Sequence, residues 1–131
     1  MTLEKRIAQS ETRVCSTVFP FLTNHHDTLF GGKAMAIMDE VSFMAATRFC
    51  RKRLVTVSTD RIDFAKAIPA GSIIEAIARV ESVGTTSLKV KVEIYLEHMY
   101  EEGRELAIEG RFTFVALGED KKPIPVMQGL E

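Results

Sequence analysis

The segment from Gly32 to about Cys50 constrains the fold more than any other part of this 131-residue chain. It contains no proline and no glycine after its first residue, and it is rich in alanine and methionine, which favour helix. The segment therefore predicts a helix of about five turns. We expect the rest of the fold to enclose much of this helix, because its apolar residues go most of the way round it. These residues are Met35, Ile37, Met38, Val41, Phe43, Met44, Ala46 and Phe49.

After Leu54 the apolar residues repeat with the period of a strand instead of that of a helix. In the segment 87–98, SLKVKVEIYLEH, every second residue is apolar, which predicts a strand with one buried and one solvent-exposed face. Similar strands are predicted from LVTVSTDRIDF (54–64), GSIIEAIARVESV (71–83), ELAIEGRFTFVAL (105–117) and a shorter segment at Arg13 to Phe19. Short turns join the consecutive strands, so we expect them to be antiparallel.

The predicted fold class is α+β, with an antiparallel sheet curled around one helix in a single domain spanning residues 1–131. One helix covers only one face of a sheet, so the other face and at least one long edge strand are expected to stay exposed. An exposed edge presents unpaired backbone groups to other chains. Self-association is therefore expected.

Composition excludes several functional classes. The chain has 17 basic and 18 acidic residues, a formal charge of −1, which argues against a dedicated nucleic-acid-binding protein. No apolar run reaches the roughly 18 residues that a membrane span needs. The charged start MTLEKRIAQSETRV lacks the apolar core of an export signal. Cys15 and Cys50 have no metal-ligand spacing, and we expect both to be buried free thiols of a cytoplasmic protein.

Asp39 interrupts the apolar pattern in the middle of the predicted helix. A carboxylate is costly to bury without partners, and perturbed carboxylates concentrate at functional sites. Glu40 lies beside it, but adjacent residues point to different sides of a helix. Both acids can instead belong to an exposed stripe with Lys33 and Ser42. We favour that alternative for Glu40 and a functional role for Asp39.

The loop before the helix, TNHHDTLFGG (23–32), ends in two glycines. Gly31 and Gly32 allow a ligand to approach backbone amides that have no partner within the helix and lie at its positive end. Such amides stabilise a developing oxyanion, although a plain helix start is the alternative. If the helix begins near Gly31, Asp39 lies eight residues further on, about 12 Å along the axis. The amides and the acid can then act on one carbonyl only if they belong to different chains.

His25 and His26, next to Asp27, allow two interpretations. A metal site is disfavoured, because adjacent side chains in a loop seldom converge on one ion and the third histidine, His98, is isolated. The alternative is general acid–base chemistry by one of these histidines together with Asp39. The sequence contains no Gly-x-Ser-x-Gly motif, phosphate-binding loop or dinucleotide fingerprint. No cofactor is therefore expected.

Four cations occur at and just beyond the end of the predicted helix: Arg48, Arg51, Lys52 and Arg53. With Lys66 and the turn formed by Gly84, Thr85, Thr86 and Ser87, they offer positive charge and backbone donors to phosphate groups. The alternative is that the cations complement the negative end of the helix and that the turn is an ordinary hairpin.

Six short blocks occur in order along the chain: NHHDTLFGG (24–32), MDEV (38–41), VTVSTD (55–60), FAK (64–66), VGTTS (83–87) and RFTFV (111–115). Their order and spacing resemble the acyl-CoA thioesterases of the hotdog fold, in particular the brain-type acyl-CoA hydrolases and their short bacterial relatives. The resemblance extends from about Arg13 to Pro125. It implies the hotdog fold, in which an antiparallel sheet of five to six strands wraps around one long central helix.

The resemblance also implies an activity, the hydrolysis of acyl-CoA to a free acid and CoA. It makes Asp39 the general base or nucleophile, with Asn24 assisting from the other protomer and Gly31 or Gly32 donating a backbone N–H to the thioester oxygen. It implies CoA contacts for a further set of residues, namely Arg53, Lys66, Gly84, Thr85, Thr86 and Ser87. The implied assembly is a homodimer, typically built into a hexameric trimer of dimers. CoA is present only as part of the substrate, and no metal, nucleic acid or membrane is involved.

The chain departs from the family's pattern in the loop. Asp27 stands where the relatives usually have glycine, and His25 and His26 stand where they have small or neutral residues. Two other functions therefore stay open. One is a non-catalytic module that binds or senses acyl-CoA, and the other is the hydration or dehydration of hydroxyacyl thioesters by His25 or His26. The acyl pocket is expected to be lined by residues of two chains such as Met35, Phe43 and Phe64.

Overall fold

The computed structural model describes residues 1–130. It contains two α-helices, α1 (Leu3–Ser10) and α2 (Gly31–Cys50), a short 3₁₀ turn (Pro20–Leu22), and five strands. The strands are β1 (Thr12–Thr17), β2 (Arg53–Phe64), β3 (Ile73–Val83), β4 (Ser87–Glu97) and β5 (Glu105–Leu117). The predicted α+β class, the long helix and the five strands are confirmed. Within residues 1–130, no helix is both long and apolar enough to cross a membrane.

All five strands belong to one antiparallel sheet, in the order β1-β3-β4-β5-β2. The predicted alternation is confirmed in β4, where every second residue from Leu88 to Leu96 is buried. β1 and β2 form the two edges of the sheet. β2 is the long exposed edge that the sequence predicts, since this strand of 12 residues borders only β5 and most of its residues are exposed.

α2 lies across one face of the sheet and supplies the centre of the core. Its inward side carries Met38, Val41 and Phe49, all buried, which belong to the same apolar core as Phe112 and Phe114 of β5. The expectation that the fold encloses much of the helix holds for the side that faces the sheet, while the opposite side stays open in a single chain. Met35 remains 37% exposed and Phe43 43% exposed, because the sheet covers only one side of the helix.

The sequence patterns do not predict α1, because this eight-residue helix is short and mostly polar and exposed. Its N-cap residue Thr2 accepts a hydrogen bond from the backbone N–H of Lys5 at 3.2 Å. Arg6 donates to the carbonyl oxygen of Phe49 at 3.0 Å, which attaches α1 to the last turn of α2. This contact and the packing of the half-buried Ile7 against the core hold the helix in place.

The two cysteines differ from the expectation that both are buried. Cys50 is buried and its thiol donates to the carbonyl oxygen of Ala46, but Cys15 is exposed. Cys15 lies on β1 at a position that faces away from the core, and its thiol donates to the Glu75 carboxylate at 3.8 Å. Desolvation and the nearby Glu75 charge raise the pKa of this thiol.

A glycine in β5 allows the edge strand to fold closely over the core. The pairing of β2 with β5 shifts register between Asp60 and Asp63, and Arg61 adopts a left-handed φ of 47° there. A Cβ atom added at Gly110 would lie 2.8 Å from Cγ1 of Ile62 and 3.1 Å from Cε of Met38. The irregular segment of β2 therefore packs against a position that only glycine fits.

We expect Gly110→Ala to lower the free energy of unfolding by about 1–3 kcal/mol, because the added methyl group overpacks a filled core. Urea denaturation followed by circular dichroism measures the change. Ile62→Ala removes the nearest atom, so the combined variant should lose less than the sum of the two single losses. An unchanged unfolding midpoint in Gly110→Ala would contradict the close contact.

Candidate active site

Asp39 lies on the side of α2 that the sheet leaves uncovered. One carboxylate oxygen accepts a hydrogen bond from the hydroxyl of Thr56 on β2, at 2.8 Å. Met35 and Phe43 lie one turn before and one turn after Asp39, and both are exposed. The Phe43 ring also packs against that of Phe114, with ring centroids 6.4 Å apart. A carboxylate held in a fixed position thus lies within an apolar, uncovered surface.

Thr56 is a site residue that sequence reasoning misses. Threonine is common in strands, and its neighbours in the VTVSTD block do not distinguish it. The contact with Asp39 joins residues 17 positions apart, so only the packing of α2 against β2 reveals it. Its hydroxyl orients the carboxylate of Asp39.

Asn24 organises the loop that precedes α2. Its side-chain oxygen accepts hydrogen bonds from the backbone N–H groups of His26 and Thr28, at 2.8 and 3.2 Å. Its own backbone N–H donates to the carbonyl oxygen of Thr28 at 2.8 Å. Asn24 therefore shapes the turn that leads to the two glycines, a role that sequence reasoning did not anticipate.

Asp27 adopts a left-handed backbone conformation, with φ of 60°. Its N–H donates to the carbonyl oxygen of Asn24 at 3.1 Å, and its own carbonyl oxygen accepts from Ala70 at 2.8 Å. Glycine suits this conformation best, and aspartate tolerates it better than most residues. The structure thus gives a backbone reason for the glycine expected at this position and for its replacement by aspartate.

His25 and His26 are exposed, and the centroids of their rings lie 3.9 Å apart at an interplanar angle of 42°. Within residues 1–130, no three His, Cys, Asp or Glu side chains come together in a way that would hold a metal ion.

The start of α2 presents backbone amides to open space. The helix begins at Gly31, after the N-cap residue Phe30, whose side chain makes no capping hydrogen bond. The N–H of Ala34 donates to the carbonyl oxygen of Phe30, so the amides of Gly31 and Gly32 precede the first helical bond. A Cβ atom at Gly31 would meet no atom within 4 Å. The side-chain position of Gly31 is therefore open to a small ligand group.

A cavity of about 230 Å³ adjoins the helix start. It is lined by Gly31, Phe64 and Lys66, with Thr28, Leu29, Ala67, Ile68 and Ile108 completing the wall. The Lys66 ammonium forms an ion pair with Glu105, with Nζ and Oε2 3.0 Å apart. One candidate oxyanion donor and one candidate phosphate-binding cation therefore share a cavity within a single chain.

The predicted coenzyme residues fall into two groups at opposite ends of β2. Arg53 pairs with Leu117 of β5. The backbone N–H of Lys66 donates to the carbonyl oxygen of Ala107, which lies ten residues before Leu117 in β5. The two groups are therefore roughly 33 Å apart along the strand. The turn 84–87 lies at the Arg53 end, because Ser87 pairs with Val115. A single chain does not form the continuous basic cluster that the sequence suggests.

Two of the four cations at the helix end have structural partners. Arg48 donates to the hydroxyl of Thr12 at 3.2 Å, and Lys52 donates to the carbonyl oxygen of Val126 at 2.9 Å. The N–H of Val126 in turn donates to the carbonyl oxygen of Thr85, so the C-terminal segment covers part of the 84–87 turn. Arg53 remains exposed beside this turn.

One helix packed on a five-stranded antiparallel sheet, with an acid on its open side and free amides at its start, defines the hotdog class of thioesterases. Residues 26–102 match the Thioesterase superfamily, and the chain belongs to this family. The sequence-based identification is confirmed, and with it the expectation of a thioesterase enzyme. Over 88% of its length the chain is 43% identical to the uncharacterized acyl-CoA thioester hydrolase YkhA of Bacillus subtilis, covering 72% of that protein.

Solved structures show the same fold. A Staphylococcus aureus acyl-CoA hydrolase in complex with butyryl coenzyme A, coenzyme A and coenzyme A disulfide has a TM-score of 0.87 at 38% identity, covering 91% of this chain and 73% of that one. Further structures of that enzyme carry an aspartate, a threonine or an asparagine changed to alanine. An apo-hexameric acyl-CoA thioesterase has a TM-score of 0.87 at 34% identity, covering 91% of this chain and 76% of that one.

The left-handed backbone at Asp27 generates a stability prediction. We expect Asp27→Val to lower the free energy of unfolding by about 1–2 kcal/mol, because a β-branched residue is strained at this φ. Asp27→Asn removes the charge but tolerates the conformation, so it should leave stability unchanged, and Asp27→Gly should not reduce it. Urea denaturation of the three variants provides the comparison. Equal midpoints for the valine and asparagine variants would contradict the backbone explanation.

Proposed function

We propose that this protein hydrolyses acyl-CoA thioesters to a free carboxylic acid and CoA, at a site assembled from two copies of the chain. The observation that carries the proposal is the placement of Asp39 on the uncovered apolar side of the central helix, oriented by Thr56. The family membership, the YkhA relative and the coenzyme A complexes of the Staphylococcus aureus enzyme support this substrate class.

A second copy is needed because of the distances within one chain. Gly31 and Asp39 are eight residues apart on α2, about 12 Å along the helix axis. A single thioester carbonyl therefore cannot contact both. The surface around Asp39 also requires cover, since Met35 and Phe43 are exposed there.

Pairing of two β2 edges across a two-fold axis meets both requirements. Such an edge pair is antiparallel, so the beginning of one β2 lies beside the end of the other. The Asp39–Thr56 contact belongs to the beginning of β2, and the cavity with Gly31 and Phe64 belongs to its end. Pairing therefore brings the amides of one chain towards the acid of the other. It also brings the partner subunit's Lys66 towards Arg53, so that the two groups of residues predicted to contact CoA lie at one site.

The chemistry follows from these positions. The N–H of Gly31 or Gly32 donates to the thioester oxygen, where negative charge develops, and one such donor is typically worth about 10²- to 10³-fold in rate. Asp39 either accepts a proton from the water that attacks the carbonyl carbon or attacks that carbon itself. The C–S bond breaks, and CoA leaves as the thiolate, which takes up the proton. If water attacks, the free acid is released in the same step. If Asp39 attacks, the acyl group forms a mixed anhydride with Asp39, and a water molecule then hydrolyses it to the free acid and the carboxylate of Asp39. Asn24 of the partner subunit assists at the same carbonyl.

The coenzyme is proposed to contact Arg53, Lys66 and the turn formed by Gly84, Thr85, Thr86 and Ser87. It enters as part of the substrate. The dimer is proposed to assemble further into a trimer of dimers, for which the hexameric relative gives support. Met35, Phe43 and Phe64 are exposed in the single chain, which suits their proposed place along the acyl group between two subunits.

We expect Asp39→Asn to reduce kcat by about 10²- to 10⁴-fold, because the variant lacks the base or nucleophile. A thiol-reactive dye measures CoA release from acyl-CoA esters of graded chain length. Glu40→Gln, on the adjacent exposed acid, should retain activity, and light scattering should show an unchanged assembly for both variants.

Three outcomes would contradict parts of this proposal. Full turnover by Asp39→Asn would remove Asp39 from the mechanism. CoA binding by the wild-type protein without hydrolysis of any ester would identify the non-catalytic binding module instead. Hydration of an enoyl-CoA ester that disappears in the His25→Ala, His26→Ala variant would identify the hydratase alternative.

A further inference from the structure

The ion pair between Lys66 and Glu105 adjoins the cavity that Lys66 lines together with Gly31. Nζ of Lys66 and Oε2 of Glu105 are 3.0 Å apart, and the two side chains are 52% and 43% exposed. Lys66 lines the cavity with Gly31, whereas Glu105 is the first residue of β5 and adjoins it only through this contact. The ammonium group that would bind the coenzyme's phosphate groups is therefore already paired with a carboxylate.

Glu105 has no second cation to neutralise it within the part of the chain that the structure describes. The preceding residue, Arg104, is held elsewhere, since its guanidinium lies 4.2 Å from the centre of the Tyr95 ring and pairs with Glu75. The charge of Glu105 thus acts on Lys66 and on any anion that approaches Lys66. An incoming phosphate group is repelled by the carboxylate and must share the ammonium with it.

We propose that Glu105 weakens the binding of the coenzyme's phosphate groups by competing with them for Lys66, and so tunes the affinity for acyl-CoA. The proposal rests on the proposed function, in which Lys66 contacts CoA. An exposed ion pair is weak, so the competition lowers affinity without preventing binding. Because both side chains are accessible to solvent, the effect should diminish as salt concentration rises.

The test is a double-mutant cycle on the full-length protein, with Kd measured by isothermal titration calorimetry. Glu105→Gln should tighten binding of CoA about two- to fivefold at low salt, the range expected for an exposed ion pair. The same substitution in a Lys66→Met background should have no effect, because the shared cation is absent. Pantetheine, which lacks the phosphate groups, should bind equally to the wild type and to Glu105→Gln. The matched control is Glu102→Gln, three residues earlier in the same hairpin, which should leave the Kd for CoA unchanged.

The outcomes separate this inference from the proposed function. If Glu105→Gln weakens CoA binding, Glu105 orients Lys66 rather than competing for it, and the inference is overturned. An effect that persists in the Lys66→Met background, or that is equal for pantetheine, also overturns it. If the wild-type protein binds no CoA at all, the proposed function itself fails. A normal acyl-CoA turnover with no coupling between the two residues would remove only the tuning role.

Discussion

The structure depends on one constraint: a single sheet covers only one side of α2. The covered side supplies the core, with Met38, Val41 and Phe49 fully buried. The other side carries an apolar stripe that a monomer leaves in water, and Asp39 lies within it. Covering this stripe with a second copy would bury apolar surface and place the carboxylate in a less polar environment. The self-association and the chemistry proposed for this chain therefore have the same physical origin.

Much of the fold could be predicted from the sequence because two periods are clear in it. The uninterrupted segment from Gly32 to Cys50 and the alternation in residues 87–98 correspond to α2 and β4 almost residue by residue. Helix α1 could not be predicted, because tertiary contacts such as that of Arg6 with Phe49 hold it. The exposure of Met35 and Phe43 in a single chain does not follow from the helical period, since an apolar residue at an uncovered position has the same sequence pattern as one in the core. Only the family resemblance, which places both residues between two chains, indicates it.

The candidate site could be predicted only in part. Asp39 and the two glycines are unusual enough in their sequence context to be recognised. Thr56 is not, because its importance lies in a contact between a helix and a strand. The division of the coenzyme residues between the two ends of β2 follows from strand pairing with β5, which no local pattern encodes. The same holds for Glu105, whose relation to Lys66 depends on where β5 begins.

The most direct test of the two-chain site is subunit complementation. Asp39→Asn and Asn24→Ala chains, each of which we expect to have lost most of its activity as a homo-oligomer, are unfolded together in equal amounts and refolded, and acyl-CoA hydrolysis is measured. Half of the dimers then contain one chain of each kind, and one of the two sites in each mixed dimer has both an intact acid and an intact loop. A site shared between two chains predicts recovery of about a quarter of wild-type activity. If Asp39 and Asn24 of one chain served the same site, no mixed dimer would contain an intact site. Activity that stays at the level of the separate variants would therefore contradict a site shared between two chains.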